Sequence, residues 1–266
     1  MSIIEVEHLV KRYTETVAVD DLSFTVEPGE LFGFLGPNGA GKTTTISILC
    51  TLLAPTSGVT RVAGFDCQRQ PTEVRTQIGI IFQDPSLDER LTAWENLLFH
   101  AMIYHVPARE RRARIESVLE MVDLADRRQT VVKRFSGGMK RRLEIARGLL
   151  HRPKILFLDE PTIGLDPQTR RKMWEFIEGL RRDHALTLFL TTHYMEEAEV
   201  CDRVAIIDHG RLVALDRPVA LKRTHATPEA SLEDVFIRLT GYEIRDGEVS
   251  DKNLLRTIRR WSKMLR

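Results

Sequence analysis

The chain has 266 residues, 42% hydrophobic and 29% charged, enough for one large domain or a core with a subdomain. Its 39 Lys+Arg against 38 Asp+Glu leave a formal charge of +1, which fits neither a strongly basic nucleic-acid binder nor an acidic disordered tail. Cys50, Cys67 and Cys201 are too scattered for a disulfide framework or metal knuckle and suggest a reducing compartment, no run nears the ~18 apolar residues of a membrane span, and the start, MSIIEVEHLV, carries no cleavable signal pattern.

Strand patterns open the chain. VAVDDLSFTV (residues 17–26) mixes apolar and polar positions, EPGE (27–30) makes a turn, and LFGFL (31–35) is short and wholly apolar, as a strand buried on both faces should be. A glycine-rich loop and the helical run TTTISILCTLL follow, then a turn at PTSG, a strand over 58–63 and a buried strand at IGIIF (78–82). From residue 92 to 150 the pattern becomes helical. Thr92 and Glu95 form a capping box for a helix through about Tyr104, Pro107 interrupts, residues 109–122 read as a second helix and a third follows Ser136. ILFL (155–158), LTLFLTT (186–192) and VAIID (204–208) return to buried strands, and between the first two lies a helix that Asp166 caps and Pro167 begins. Alternating apolar strands and helices predict an α/β fold with a mainly parallel core sheet, interrupted by an all-helical insertion.

Three stretches carry chemistry. GPNGAGKT (36–43) matches G-x-x-x-x-G-K-[ST] between a buried strand and a helix, the context in which backbone N–H groups and a helix N-terminus face phosphates. Lys42 is placed to reach the β and γ phosphates, Thr43 to offer a hydroxyl to Mg²⁺ and Thr44 to add a hydrogen bond. The plainer alternative is a glycine-rich turn with a solvated lysine. KILFLDEPT (154–162) puts Asp159 and Glu160 at the carboxyl end of a strand, where open α/β sheets bind ligands. Asp159 suits a Mg²⁺ partner and Glu160 a base acting on water, unless both merely cap the turn before Pro161. FSGGMKRRLEIARGLLHRP (135–153) begins a helix at Ser136 with exposed amides at Gly137 and Gly138. Met139, Leu143, Ala146 and Leu150 form its apolar stripe, and Arg141, Arg142 and Arg147 carry charge around it. It is a second anion-binding helix start or a plain capped helix, and spacing does not say whether it completes a site in cis or in trans.

The order of GPNGAGKTT, the glutamine after IGIIF, FSGGMKRR, ILFLDEPTIGLD and FLTTHYMEEAE resembles the ATP-binding cassette (ABC) ATPase family over about residues 1–240. The resemblance implies a RecA-like P-loop NTPase core with an antiparallel β portion, a helical subdomain at about 84–150 and a short basic extension at 241–266. It implies ATP and Mg²⁺, and a head-to-tail homodimer in which each ATP lies between the phosphate loop of one subunit and the serine-glycine signature of the other. Gly36, Asn38, Gly39, Ala40, Gly41, Lys42, Thr43 and Thr44 fall in the nucleotide loop. Gln83 resembles the glutamine that contacts Mg²⁺ or water and reports to the membrane partner. Ser136, Gly137 and Gly138 resemble the signature, Asp159 the metal-side aspartate and Glu160 the hydrolytic glutamate. Asp166 resembles the acid that communicates across the dimer, and His193 the histidine that senses the γ-phosphate. Tyr13 sits where the family stacks an aromatic on adenine, against simple edge-strand packing. The common signature is Leu-Ser-Gly-Gly-Gln, whereas Phe135 and Met139 flank Ser-Gly-Gly here, so Met139 lacks the polar contact of glutamine.

Ser231 and Asp234 cap a short helix with Val235, Phe236 and Leu239 on its apolar side, and LEDVFIRLTGYEIRD resembles the ending of drug-, antibiotic- or lipid-export members. The implied function is an ATPase that powers an efflux transporter at the cytoplasmic face of the cell membrane, with separate transmembrane permease subunits, no nucleic acid and no span of its own. An import ATPase of the same family and a soluble mechanochemical ATPase on ribosomes or nucleic acid are the rivals. Residues 251–266 balance to +5, for docking on the chain or its twin, a frayed tail, or contact with a membrane partner or acidic lipid. Arg109, Arg111, Arg112 and Arg114 read as a solvated helix face.

Overall fold

The first strands pair as a hairpin because their alternating patterns offer one apolar face. In the computed structural model, which describes residues 1–82, 86–184, 186–227 and 229–241, β1 (Ile4–Arg12) pairs antiparallel with β2 (Val17–Val26). With β4 (Ser57–Val62) and β5 (Phe65–Asp66) they form a sheet in the order β2-β1-β4-β5. LFGFL becomes β3 (Leu31–Leu35), buried at all five positions. It is central to a second sheet with β6 (Ile78–Ile81), β7 (Ile155–Asp159), β8 (Thr187–Thr192), β9 (Arg203–Asp208) and β10 (Arg211–Asp216), ordered β10-β9-β3-β8-β7-β6. Every ladder in it is parallel except β10 on β9. β10 is not among the predicted strands: it is an edge strand with no fully buried position, and its apolar run is only the four residues LVAL.

Side-chain alternation divides the core. On one face Phe32, Phe34 and Phe189 meet Phe24 of the small sheet and Phe157 packs on Phe189, with Phe24 and Phe32 stacked at 5.5 Å between ring centroids. On the other, Leu31, Leu35, Leu188 and Leu190 pack under α6 (Pro167–His184), α7 (Met195–Glu199), α8 (Pro218–His225) and α9 (Leu232–Thr240). α9 carries the expected Ser231–Asp234 capping box and buries Val235 and Phe236. α1 (Lys42–Leu49) follows β3, and α2 (Pro71–Gln77) precedes β6.

Between β6 and β7 the chain forms α3 (Ala93–Ile103), α4 (Ala108–Met121) and α5 (Gly137–Leu149) around a separate apolar cluster that includes Leu97, Leu119, Phe135 and Leu143. The Thr92–Glu95 capping box opens α3 and Ser136 caps α5. Among the described residues, no helix is long and apolar enough to cross a membrane. Gln83 and the basic stretch 251–266 lie outside the described residues.

Candidate nucleotide site

The glycine-rich loop turns the chain from the end of β3 into α1, and two of its glycines, Gly36 and Gly41, are fixed by close approach. At Gly41, the N-cap with φ +101°, a Cβ would lie 2.4 Å from the Ala18 carbonyl oxygen; at Gly36 it would lie 2.6 Å from that of Ile207. The loop is thus wedged between β2 and β9, and the Gly210 amide also donates to the Ala40 carbonyl at 3.0 Å. Asn38 and Gly39 are exposed at the crest of the loop, Thr43 is exposed at the start of α1 and Thr44 is half-buried. Lys42 is only 6% exposed, and its Nζ donates to the carbonyls of Gly36 (2.7 Å) and Pro37 (3.1 Å). Burial pushes the Lys42 pKa down, against the opposing pull of Glu160 and Asp159.

Asp159 ends β7 opposite Thr191 of β8, whose hydroxyl donates to Asp159 Oδ1. Burial raises the Asp159 pKa, and that hydrogen bond works against it. Glu160 follows with φ +46°, its amide shared between the Thr191 carbonyl (3.1 Å) and hydroxyl (3.2 Å). Glu160 Oε1 is 3.2 Å from His193 Nδ1 and 3.8 Å from Lys42 Nζ. The hydrogen bond from His193 holds the Glu160 carboxyl below the usual range, outweighing partial burial. Lys42, Asp159, Glu160 and His193, taken from three distant stretches of sequence, therefore meet at the carboxyl edge of the neighbouring strands β3, β8 and β7.

Ser136, Gly137 and Gly138 belong to a different neighbourhood. Ser136 Oγ accepts from the Met139 amide at 3.3 Å, and a Cβ at Gly138 would lie 2.7 Å from Thr169 Cγ2. Thr169 is in turn capped by Asp166, which accepts from the Gln168 (3.1 Å) and Thr169 (3.0 Å) amides. Among the described residues, no hydrogen bond or ion pair joins the Ser-Gly-Gly start of α5 to Lys42, Asp159, Glu160 or His193. Tyr13 is exposed just beyond β1, with its amide on the Thr16 carbonyl at 2.8 Å and Lys11 Nζ 5.3 Å from its ring.

Of the three arginines that carry charge around α5, Arg141 is buried: it is 6% exposed and donates to the carbonyls of Pro161 (2.7 Å), Phe82 and Asp159 (3.3 Å), paired with buried Glu144 at 3.1 Å. Its position in line with Leu143 and Glu144 gave no sequence signal for this, because its acceptors are backbone atoms of other elements. Buried Glu197 was likewise not singled out, although MEEAE is an unusually acidic run after an apolar strand.

A strand–loop–helix with an inturned lysine, and two acids at the end of a nearby parallel strand, define a P-loop nucleoside triphosphatase. The family described as ABC transporter matches residues 19–163, more than half of the chain, which thus belongs to the ABC transporter family and is an ATPase of its ATP- and Mg²⁺-dependent kind. A daunorubicin resistance ATP-binding protein, DrrA3 of Streptomyces coeruleorubidus, is 44% identical over 212 residues, covering 79% of this chain and 67% of the relative. A solved ATP-binding subunit of an ABC transporter superposes with TM-score 0.80 at 31% identity, over 90% of this chain and 99% of its own. A dimeric ATP-binding cassette in a post-hydrolysis state with ADP and Pi gives 0.73 at 26% identity, over 80% of this chain and 98% of that one.

Proposed function

We propose that this chain is the ATP-hydrolysing subunit of an export-type ABC transporter, closing as a homodimer on ATP and driving separate membrane-spanning subunits from the cytoplasmic face of the membrane. The observation that carries this reading is the division of the site: Lys42, Asp159, Glu160 and His193 converge, while the Ser136–Gly138 helix start faces α6 in the same chain. A second copy is needed to bring both anion-binding elements to one triphosphate.

The loop amides of residues 36–44 and Lys42 hold the phosphates, with the lysine trading its bonds to Gly36 and Pro37 for phosphate oxygens. Tyr13 stacks on adenine, and the partner copy adds Ser136, Gly137 and Gly138. The Thr43 hydroxyl and the Asp159 carboxylate are hard oxygen donors suited to Mg²⁺, and a buried carboxylate whose charge is disfavoured gains from a cation. By the family resemblance alone, Gln83 is the further donor we assign to this set. Held by these residues, Mg²⁺ would supply neutralisation of the triphosphate charge. Glu160, kept ionised by His193, accepts a hydrogen bond from the attacking water and aligns it, so it acts more by positioning than by basicity. His193 reads the γ-phosphate and Asp166 the opposite subunit.

We read residues 1–240 as the nucleotide-binding domain, the helices at about 84–150 as its subdomain toward the membrane partner, and 241–266 as an extension. Phe99 (62% exposed), Met102 and Ile103 at the end of α3 leave an apolar surface consistent with a permease contact there. The kinship with a daunorubicin resistance subunit favours export. The purified chain should release phosphate from Mg·ATP, and the chain isolated from its native cells should copurify with a protein of membrane-spanning helices in the membrane fraction. Absence of turnover, or a partner without spans, contradicts the reading.

A further inference from the structure

Glu197 is a buried carboxylate near the site that the mechanism above does not use: it is 2% exposed on α7, four residues after His193. Its Oε1 accepts from the Thr162 hydroxyl and from Trp174 Nε1 (3.2 Å), and its Oε2 accepts from the Thr192 hydroxyl (2.6 Å). All three partners donate, which suits an acceptor-only carboxylate, and a buried charge persists only when bonded in this way.

Thr162 lies two residues after Glu160, and Thr192 immediately precedes His193. The Thr192 hydroxyl in turn accepts from the Tyr194 amide at 2.9 Å, so the backbone on both sides of His193 is held. One carboxylate thus grips the acid loop with one oxygen and the histidine loop with the other, while Trp174 fastens it to α6. Glu160 has φ +46°, a left-handed conformation that persists in a non-glycine residue only where its surroundings over-determine it. Arg141 holds the Pro161 carbonyl and Glu197 holds Thr162 directly after it. On the histidine side, the Tyr194 ring packs at a tilt of 37° against that of His193, 4.2 Å between centroids, and lies under the Arg170 guanidinium at 4.1 Å.

We infer that Glu197 is a positioning residue for ATP hydrolysis, setting the separation of Glu160 and His193 through Thr162 and Thr192 without touching either. This rests on the reading that Glu160 and His193 act at the γ-phosphate. Glu197→Gln puts an amide N–H₂ against a hydroxyl, and Thr192→Val deletes a single hydroxyl while keeping the shape of the side chain.

The test uses the full chain, with steady-state phosphate release, equilibrium binding of a fluorescent ATP analogue and thermal melting. Glu197→Gln and Thr192→Val should each lower kcat about tenfold or more, with nucleotide affinity and KM within about twofold of the parent, because misplacement affects turnover more than binding. Glu197→Gln should add little to the defect of Glu160→Gln, since residues acting as a unit are non-additive. If Glu197→Gln does not fold, Thr192→Val carries the same comparison. Unchanged kcat, loss of affinity and melting temperature in parallel with kcat, or full additivity with Glu160→Gln each overturn the inference. A parent chain without turnover overturns the proposed function as well; a turning-over parent with unaffected variants overturns this inference alone.

Discussion

Glu160 Oε1 stands 3.2 Å from His193 Nδ1, so the acid that follows β7 and the histidine that follows β8 form one hydrogen-bonded pair. The same oxygen lies 3.8 Å from Lys42 Nζ, which ties the pair to the phosphate loop. Replacing Glu160 by Gln keeps the shape but removes the charge that orients water. Hydrolysis should fall by about 10²–10⁴-fold with ATP binding retained, and the dimer should accumulate. Phosphate release and light scattering of the variant with Mg·ATP check both parts.

The pair also sets a pH dependence. His193 holds the Glu160 carboxyl below its ordinary value of about 4.3, so Glu160 stays ionised as the medium turns acid. Removing that hydrogen bond in His193→Ala lets the carboxyl pKa rise, and the acid limb of the kcat/KM profile should move to higher pH. An acid limb that stays in place, or moves lower, contradicts the assignment of His193 as the cause.

Two glycines of the loop should differ in their tolerance of alanine. Gly41 combines φ +101° with a Cβ position 2.4 Å from a backbone oxygen, whereas Gly39, at φ +83°, has nothing within 4 Å of its Cβ position. Gly39→Ala should cost about 1 kcal/mol from backbone strain, and Gly41→Ala more than that because β2 must also shift. Urea unfolding of the two variants gives the comparison.

Arg141 makes a stronger demand on the fold. Its guanidinium joins α5 to carbonyls after β6 and around the end of β7, and it is the charge partner of buried Glu144. Arg141→Met leaves that carboxylate uncompensated, and unfolding free energy should drop by about 3–5 kcal/mol. A shift under about 1 kcal/mol, typical of exposed charges, would place the arginine at the surface after all.

Arg141 and Glu197 also mark the limit of what the sequence reveals. The phosphate loop, the acid pair and the strand before His193 were legible because each is a local pattern with its own strand or helix context. The Ser136 cap and the Thr92–Glu95 box were legible for the same reason, since cap and helix are neighbours in sequence. A buried arginine whose acceptors are carbonyls at residues 82, 159 and 161 has no local signature. A glutamate satisfied by two threonines and a tryptophan from three other segments has none either. The meeting of Lys42, Glu160 and His193 follows from the strand order β3-β8-β7, which the alternation of elements suggests but does not dictate.

Mixing two inactive variants tests most directly whether two copies share each ATP. Lys42→Met disables the phosphate loop but leaves the Ser-Gly-Gly start of α5 intact, and Ser136→Arg does the reverse. Each alone should be nearly silent. A mixed dimer contains one site with both elements intact, so phosphate release should reappear on mixing and rise with the fraction of mixed dimer. Failure to recover activity in a demonstrated mixed dimer, or full turnover by Ser136→Arg alone as a monomer, would contradict the shared site.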